Sequence, residues 1–276
     1  MAQNSKPAHE DGALLRRLPA GRKADLAAYI YEHGQVAVSE LAEYFKVSTD
    51  TIRRDLDDLD ADNIVIRTHG GAISPNIVPK PDTGIDVRMR VQTSKKEVIG
   101  AIAASMVQDN SVVIMNAGTT ILAVARNLAN HTGLTVATNN LQLSKELQPK
   151  SYRALHIFGG SVLHTSQATI GPVSFQALGG GDVDIQSNLA LIAVGGVSVD
   201  GFSVSNLAEA SMLKEMMARS EKVAILADST KFGGRLFAQL AELGRADYFI
   251  TDAPPSADLS EALKKHKVQV ITPPTE

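Results

Sequence analysis

The sequence contains no cysteine, which excludes disulfide frameworks, thiolate metal sites and cysteine nucleophiles. It has no apolar run of the roughly 18 residues that a membrane span needs, and its first residues lack the apolar stretch of a signal peptide. The expectation is a cytoplasmic protein with no membrane partner. There is no excess of basic residues either: the net charge is −3, and between Arg16 and His69 eight Lys/Arg face ten Asp/Glu. A nucleic-acid partner would have to be held by a local basic surface, since bulk charge supplies no attraction. No metal and no cofactor is expected.

What is present is a chain of 276 residues with an ordinary 44% apolar share, enough for a mid-sized domain and a small one. Residues 1–20 are polar and aperiodic and read as a flexible arm. Residues 21–74 read first as helical and then as extended. Leu26, Tyr29 and Ile30 stripe a first helix that stops at Gly34. Val36 and Val38 alternate as a short strand, and Ser39 is the expected N-cap of a second helix carrying Leu41, Ala42 and Phe45. Ser48 caps a third helix with the stripe Ile52, Leu56 and Leu59. Asn63–Arg67 alternates as a strand, and His69-Gly70-Gly71 turns the chain into Ala72-Ile73. Three short helices and a β-hairpin make a winged helix-turn-helix. Residues 75–92, with Pro75, Pro79, Pro81 and Gly84, read as a linker.

From Ser94 onward, helical patterns alternate with short apolar runs. Strands are expected at Val112–Met115, Leu134–Ala137, Leu155–Phe158, Leu189–Val194, Val223–Leu226, Tyr248–Thr251 and Val268–Ile271. Helices are expected at Ser94–Met106, Ile121–Leu128, Leu141–Leu147, Leu207–Arg219 and Leu259–His266. Such alternation predicts an α/β domain over 93–276 with a mostly parallel sheet covered on both faces.

The third helix carries the first candidate site. With Ile52, Leu56 and Leu59 turned inward, about 100° per residue puts Arg54 on the opposite face, flanked by Thr51 and Arg53. Arginine forks read guanine in the major groove, while Ser48, Thr49 and the helix N-terminus suit phosphate. Asp55, Asp57, Asp58 and Asp60 crowd the other half, which must point away from a duplex. The competing reading pairs Arg53 and Arg54 with Asp57 and Asp58 across one helical turn on a solvated face. Arg67, Thr68 and His69 at the hairpin tip are expected to touch phosphate or the minor groove.

The second candidate site begins at Asn116-Ala117-Gly118-Thr119-Thr120, which follows a buried strand and opens a helix. Backbone N–H groups and hydroxyls converging at such a turn suit an anion, most often phosphate. Thr138-Asn139, Gly159-Gly160, Gly195-Gly196 and Asp228–Lys231 are further polar or glycine-rich strand ends. In an open parallel sheet these ends surround the ligand crevice, and Lys231 is the natural counter-charge.

The stretch from Gly34 through LAEYFKVSTDTIRRDLDDL to RTHGGA at Arg67–Ala72 resembles the DeoR family of bacterial repressors. The resemblance extends over about Arg22–Asp252. It implies a C-terminal domain similar to ribose-5-phosphate isomerase that binds a phosphorylated sugar. Phosphate would then lie at Gly118–Thr120 and Lys231, with sugar contacts from the other loops. It further implies a non-enzymatic repressor of a carbohydrate-metabolism operon, acting as a dimer or tetramer on double-stranded operator DNA and released by that effector. Two positions depart from the family pattern: Asn116 stands where an acidic residue is usual, and Ala193–Gly196 reads A-V-G-G where the family usually has G-A-D-G. Loss of the carboxylate at Gly195 argues against isomerase activity, and Glu209 on the following helix is a candidate partial substitute. An isomerase with a DNA-binding head and a constitutive DNA binder with a degenerate pocket are the competing readings.

Overall fold

A computed structural model describes residues 19–78, 83–176, 180 and 182–274. Most of the expected arm, 1–18, lies outside the described residues. Its last two positions instead begin the first helix. The chain divides into two compact units, with the boundary in sequence between Ile77 and Val78.

In the first unit, α1 (Pro19–His33), β1 (Gln35–Ala37), α2 (Val38–Phe45), α3 (Thr49–Ala61), β2 (Ile66–Arg67) and β3 (Gly71–Ile73) follow in order. The three strands form an antiparallel sheet in the order β1-β3-β2. Leu26, Ile30, Leu41, Ile52 and Leu56 are fully buried between helices and sheet. Lys46 turns the chain left-handed after α2, and Ser48 Oγ then accepts the Thr51 N–H at 3.2 Å as the cap of α3. Two expectations give way. Ser39 lies inside α2, which starts at Val38 behind an uncapped Ala37, because Val38 turns inward as the first core residue of the helix. The strand expected from Asn63 is confined to Ile66–Arg67. Asn63 takes a left-handed φ of 57° to close the end of α3, a conformation asparagine tolerates better than most residues.

The second unit opens with α4 (Ile85–Arg90) and α5 (Thr93–Ser105). The expected linker over 75–92 is corrected in its second half: Ile85–Arg90 is a helix of this unit, and Ile85 and Val91 are buried. Then come β4 (Val112–Met115), α6 (Thr119–Asn127), β5 (Leu134–Thr138), α7 (Leu143–Glu146), β6 (Tyr152–Ile157), β7 (Ser161–Leu163), β8 (Ala168–Ile170), β9 (Phe175–Gln176) and β10 (Asp182–Val183). The remainder is β11 (Ser187–Ala193), β12 (Gly196–Ser198), β13 (Gly201–Val204), α8 (Leu207–Ala218), β14 (Ser220–Leu226), β15 (Ala238–Ala241), β16 (Tyr248–Ile250), α9 (Ala257–Lys265) and β17 (Gln269–Ile271).

Seven of these strands form one parallel sheet in the order β17-β16-β14-β11-β4-β5-β6. Its central strands are apolar because both faces are covered. Along β11, Ala190 and Ile192 join a cluster with Phe158, Phe202, Met216 and Phe249, while Leu189 and Leu191 join one with Ile99, Val124 and Leu226. Gly100 lets α5 lie against α6, since a Cβ there would come within 2.7 Å of the Ala123 backbone. The antiparallel sheet β12-β13-β15, absent from the sequence expectations, folds over the end of β11.

From β4 the chain proceeds outward through β5 and β6, then returns to place β11 on the other side of β4 and continues to β17. The sheet thus has its topological switch between β4 and β11. The carboxyl ends of two strands diverge there and leave a crevice.

Candidate functional site

The exposed half of α3 presents Ser48, Thr49, Arg53 and Arg54, with Thr51 half-buried. Arg53 Nη1 donates to Asp50 Oδ1 at 2.8 Å, with both side chains largely in solvent. Such a pair is worth at most about 1 kcal/mol and yields readily to a stronger anion. Arg54 has no ion pair among the described residues. The alternative pairing across one helical turn is not formed, because those carboxylates serve the fold. Asp58 accepts from Lys23 at 2.5 Å, and Asp57 accepts from Arg67 Nε at 2.7 Å. Asp55, buried, takes Arg22 Nε at 2.6 Å and Nη2 at 3.2 Å.

Arg67 is consequently not a free wing residue. Its backbone N–H donates to Asp60 at 2.7 Å, its guanidinium faces α3, and Nη1 is buried. The expected DNA contact is corrected to a brace between wing and helix. Thr68 holds the hairpin turn through its N–H to Gly71 O at 3.0 Å, and His69 is exposed at the tip.

In the second unit the switch-point crevice is a cavity of about 400 Å³. Gly118, Thr119 and Thr120 line it from the start of α6, Gly195 from the end of β11, Glu209 from α8 and Lys231 from the loop after β14. No side chain caps α6, so its first N–H groups face the cavity with the positive end of the helix dipole. Asp228 Oδ1 accepts the Thr230 N–H at 3.0 Å and shapes the turn that carries Lys231.

Five expected residues do not line the cavity. Asn116 is fully buried and bridges strands: its Nδ2 donates to Ala193 O at 2.9 Å and its Oδ1 accepts the Ala193 N–H at 2.8 Å. Asn139 Oδ1 accepts the Ala117 N–H at 2.7 Å while Nδ2 donates to Thr169 O at 2.9 Å. Thr138 Oγ1 accepts the Asn140 N–H at 3.0 Å. Gly159 and Gly160 form the turn from β6 into β7, where Gly160 adopts φ 128° against the Ile170 carbonyl. These residues brace the loops around the cavity. An amide pairs with one backbone N–H and one carbonyl at once, which explains an asparagine at the start of the Gly-Thr-Thr turn.

Other residues complete the lining. Arg88 from α4, Lys96 from α5, Asp228, Arg235 and the apolar Leu236 all face the cavity. A Cβ on Gly195 would lie 2.4 Å from Leu236 Cδ1, so leucine fills the space beside this position. Arg88 fell in the stretch read as linker and Lys96 in the helix expected after it, and the recurrence of cations over Arg88–Lys96 was the available signal.

Burial dominates the electrostatics. It lowers the pKa of Lys231, where Asp228 opposes the shift and Arg88 adds to it. It lowers that of Arg88, against the attraction of Glu209, and raises that of Glu209 in spite of Arg88. Lys96, 6% exposed, is brought to about 8 mainly by burial, with Arg88, Lys231 and Arg126 pushing the same way and Asp228 opposing. Its Nζ donates to Arg88 O and, at 2.6 Å, to Val91 O. Because unfolded lysine holds its proton up to about pH 10.4, the unfolded chain binds more protons than the folded one between those values. Stability therefore rises with pH from about 8 toward 10. Urea midpoints at pH 7.5 and 9.5 are expected to show this rise, and Lys96→Met to flatten it; an equal slope in both proteins would refute the assignment.

A winged helix-turn-helix with exposed arginines on its third helix, joined to a sheet domain with a cationic cavity at its switch point, defines a ligand-sensing DNA-binding regulator. The chain belongs to the DeoR family: residues 22–78 match the DeoR-like helix-turn-helix domain and residues 91–253 the DeoR C terminal sensor domain. It is 31% identical to the transcriptional repressor GlcR of Bacillus subtilis, covering 88% of this chain and 92% of that one. It is 29% identical to the glycerol-3-phosphate regulon repressor of Escherichia coli, covering 87% and 94%. Among solved structures it is similar to ribose 5-phosphate isomerase from Plasmodium falciparum, at 11% identity and a TM-score of 0.36, covering 50% of this chain and 52% of that one. Among the described residues no helix is long and apolar enough to cross a membrane.

Proposed function

We propose that this chain is a cytoplasmic repressor of an operon for carbohydrate or polyol-phosphate metabolism, released from its operator by a phosphorylated sugar or related metabolite. The observation that carries the effector reading is the meeting of the uncapped start of α6, Lys231 and Arg88 in one cavity. A phosphate there would exchange water for helix N–H groups and desolvated cations, where charge-assisted bonds are strongest. Asp228 and Glu209 supply acceptors for hydroxyls. The relatives' names point the same way, since one represses a glycerol-3-phosphate regulon.

On the DNA side, Ser48, Thr49, Thr51, Arg53 and Arg54 form the reading surface, with Thr68 and His69 beside it. Two such heads in a homodimer or tetramer would match repeated half-sites. The cavity is read as non-catalytic. Position 195 carries no carboxylate, and Glu209, the nearest to a general base, is held toward protonation by its burial.

A thermal-shift panel of inorganic phosphate, glycerol 3-phosphate, ribose 5-phosphate and fructose 6-phosphate tests this. At about 100 times its Kd a ligand adds about 2.7 kcal/mol, a rise on the order of 5–10 °C for a domain of this size. Lys231→Ala is expected to abolish it. A panel with no stabilising member would overturn the effector reading, and turnover of ribose 5-phosphate would overturn the non-enzymatic one.

A further inference from the structure

Arg88 stands apart from the other cavity cations. It lies on α4, the first helix of the sensor unit, and the chain before it leads back into the DNA-reading unit. Lys231 and the start of α6 belong instead to the sheet framework. Among the described residues the Arg88 guanidinium has no hydrogen-bond partner. Its electrostatic counterpart is the Glu209 carboxylate across the cavity on α8. A guanidinium carries five donors and is costly to bury without acceptors. An anion in the cavity supplies them.

The backbone of α4 is held at both ends. The Ile85 N–H donates to Thr165 O at 2.9 Å in the turn between β7 and β8. At the other end the buried Lys96 ammonium donates to the carbonyls of Arg88 and Val91. A pull on the Arg88 side chain is therefore transmitted to a short, anchored helix rather than absorbed by a loose loop.

We propose that Arg88 is a second anion-binding residue of the cavity, and that its engagement moves or orders α4 and so reports occupancy to the DNA-reading unit. This rests on the effector reading above. Occupancy can shift the equilibrium only through contacts that differ between the two states. An arginine on the first helix of the sensor unit, without a hydrogen-bond partner among the described residues, can make such a contact, whereas a preformed helix N-terminus is the same before and after.

The test uses the full chain, DNA protected by the wild-type protein upstream of its own gene, and the member of the four-compound panel that most stabilises the wild type. Arg88→Gln is expected to bind this DNA within threefold of the wild type when the compound is absent. Its affinity for the compound should fall about tenfold. At concentrations where its melting temperature has reached a plateau, the DNA should remain bound. Arg88→Lys should recover part of the release, and serves also if the glutamine variant does not fold. Amide exchange at Val87–Val91 should slow with the compound in the wild type and not in Arg88→Gln. Normal binding and normal release in Arg88→Gln would overturn the proposal. Loss of all stabilisation by the compound would keep the anion role and overturn the reporting role. If no compound stabilises the wild type, the effector reading itself has failed, and that outcome is separate from the other two.

Discussion

Arg53→Ala/Arg54→Ala is expected to lose specific operator binding, with the Kd rising about 100-fold or more while the fold is unchanged. A bidentate arginine–guanine contact is worth about 1–3 kcal/mol of discrimination, and the pair together therefore exceeds the effect of any single phosphate contact. Both side chains are exposed on α3, and the bond they would lose, Arg53 to Asp50, lies at the surface. Stability should move by less than about 0.5 kcal/mol, as for surface changes in general. Fluorescence anisotropy on the protected DNA, with a scrambled duplex as control, measures the loss. If the affinities for the two duplexes draw level, the arginines read bases. If both fall in parallel and the salt slope shrinks, they bind phosphate. An unchanged Kd would exclude this helix as the reading element. His69→Ala, at the hairpin tip, should have the smaller effect of a backbone contact.

Arg22→Ala is expected to destabilise the DNA-reading unit by about 3 kcal/mol, the low end for breaking a buried pair because Arg22 keeps a fifth of its side-chain surface in water. The loss leaves Asp55, only 4% exposed, without the two guanidinium bonds that satisfy it. Stability of a domain is typically about 5–15 kcal/mol in total, so a unit this small would be severely compromised. Hydrogen exchange in the full chain should show α1 and α3 amides opening together, while those of the parallel sheet keep their protection. The combined Arg22→Met/Asp55→Leu variant should recover much of the stability, since apolar replacement of a buried pair is often neutral or better. If Arg22→Ala left α3 protection intact, the pair would be shown to contribute nothing.

These two results would divide the stretch Ile52–Leu56 by role. Its arginines were legible as a surface because the stripe Ile52, Leu56 and Leu59 fixes the rotation of α3. The fate of its aspartates was not legible. Asp55, Asp57 and Asp58 could be placed on the half turned from DNA, but their partners Arg22, Arg67 and Lys23 come from α1 and the wing. The same long-range pairing removed Arg67 from the candidate DNA surface. A cation in a hairpin looks free until the helix beneath it is known.

The cavity shows the same division. Gly118–Thr120 and Lys231 could be picked out because a turn between a buried strand and a helix has local chemistry, and strand ends are where open sheets bind ligands. Asn116, Thr138 and Asn139 stand at strand ends in the same way, yet each turns its side chain to backbone: Asn116 to Ala193 of β11, Asn139 to Ala117 and Thr138 to Asn140. Spacing along a chain does not say whether a polar group at a strand end faces the crevice or braces it.

The outward-facing arginines on α3 and the phosphate-type turn at Gly118 were properties of the sequence by itself, because helical period and turn chemistry act over a few residues. That Arg88, Lys96 and Glu209 line the cavity as well as Lys231 was decided by the tertiary structure. The switch in strand order brings α4, α5, α8 and the loop after β14 to one crevice from distant parts of the chain. Burial there, which no local pattern records, strips water from these charges, lowering the pKa of the Arg88, Lys96 and Lys231 cations and raising that of the Glu209 carboxylate.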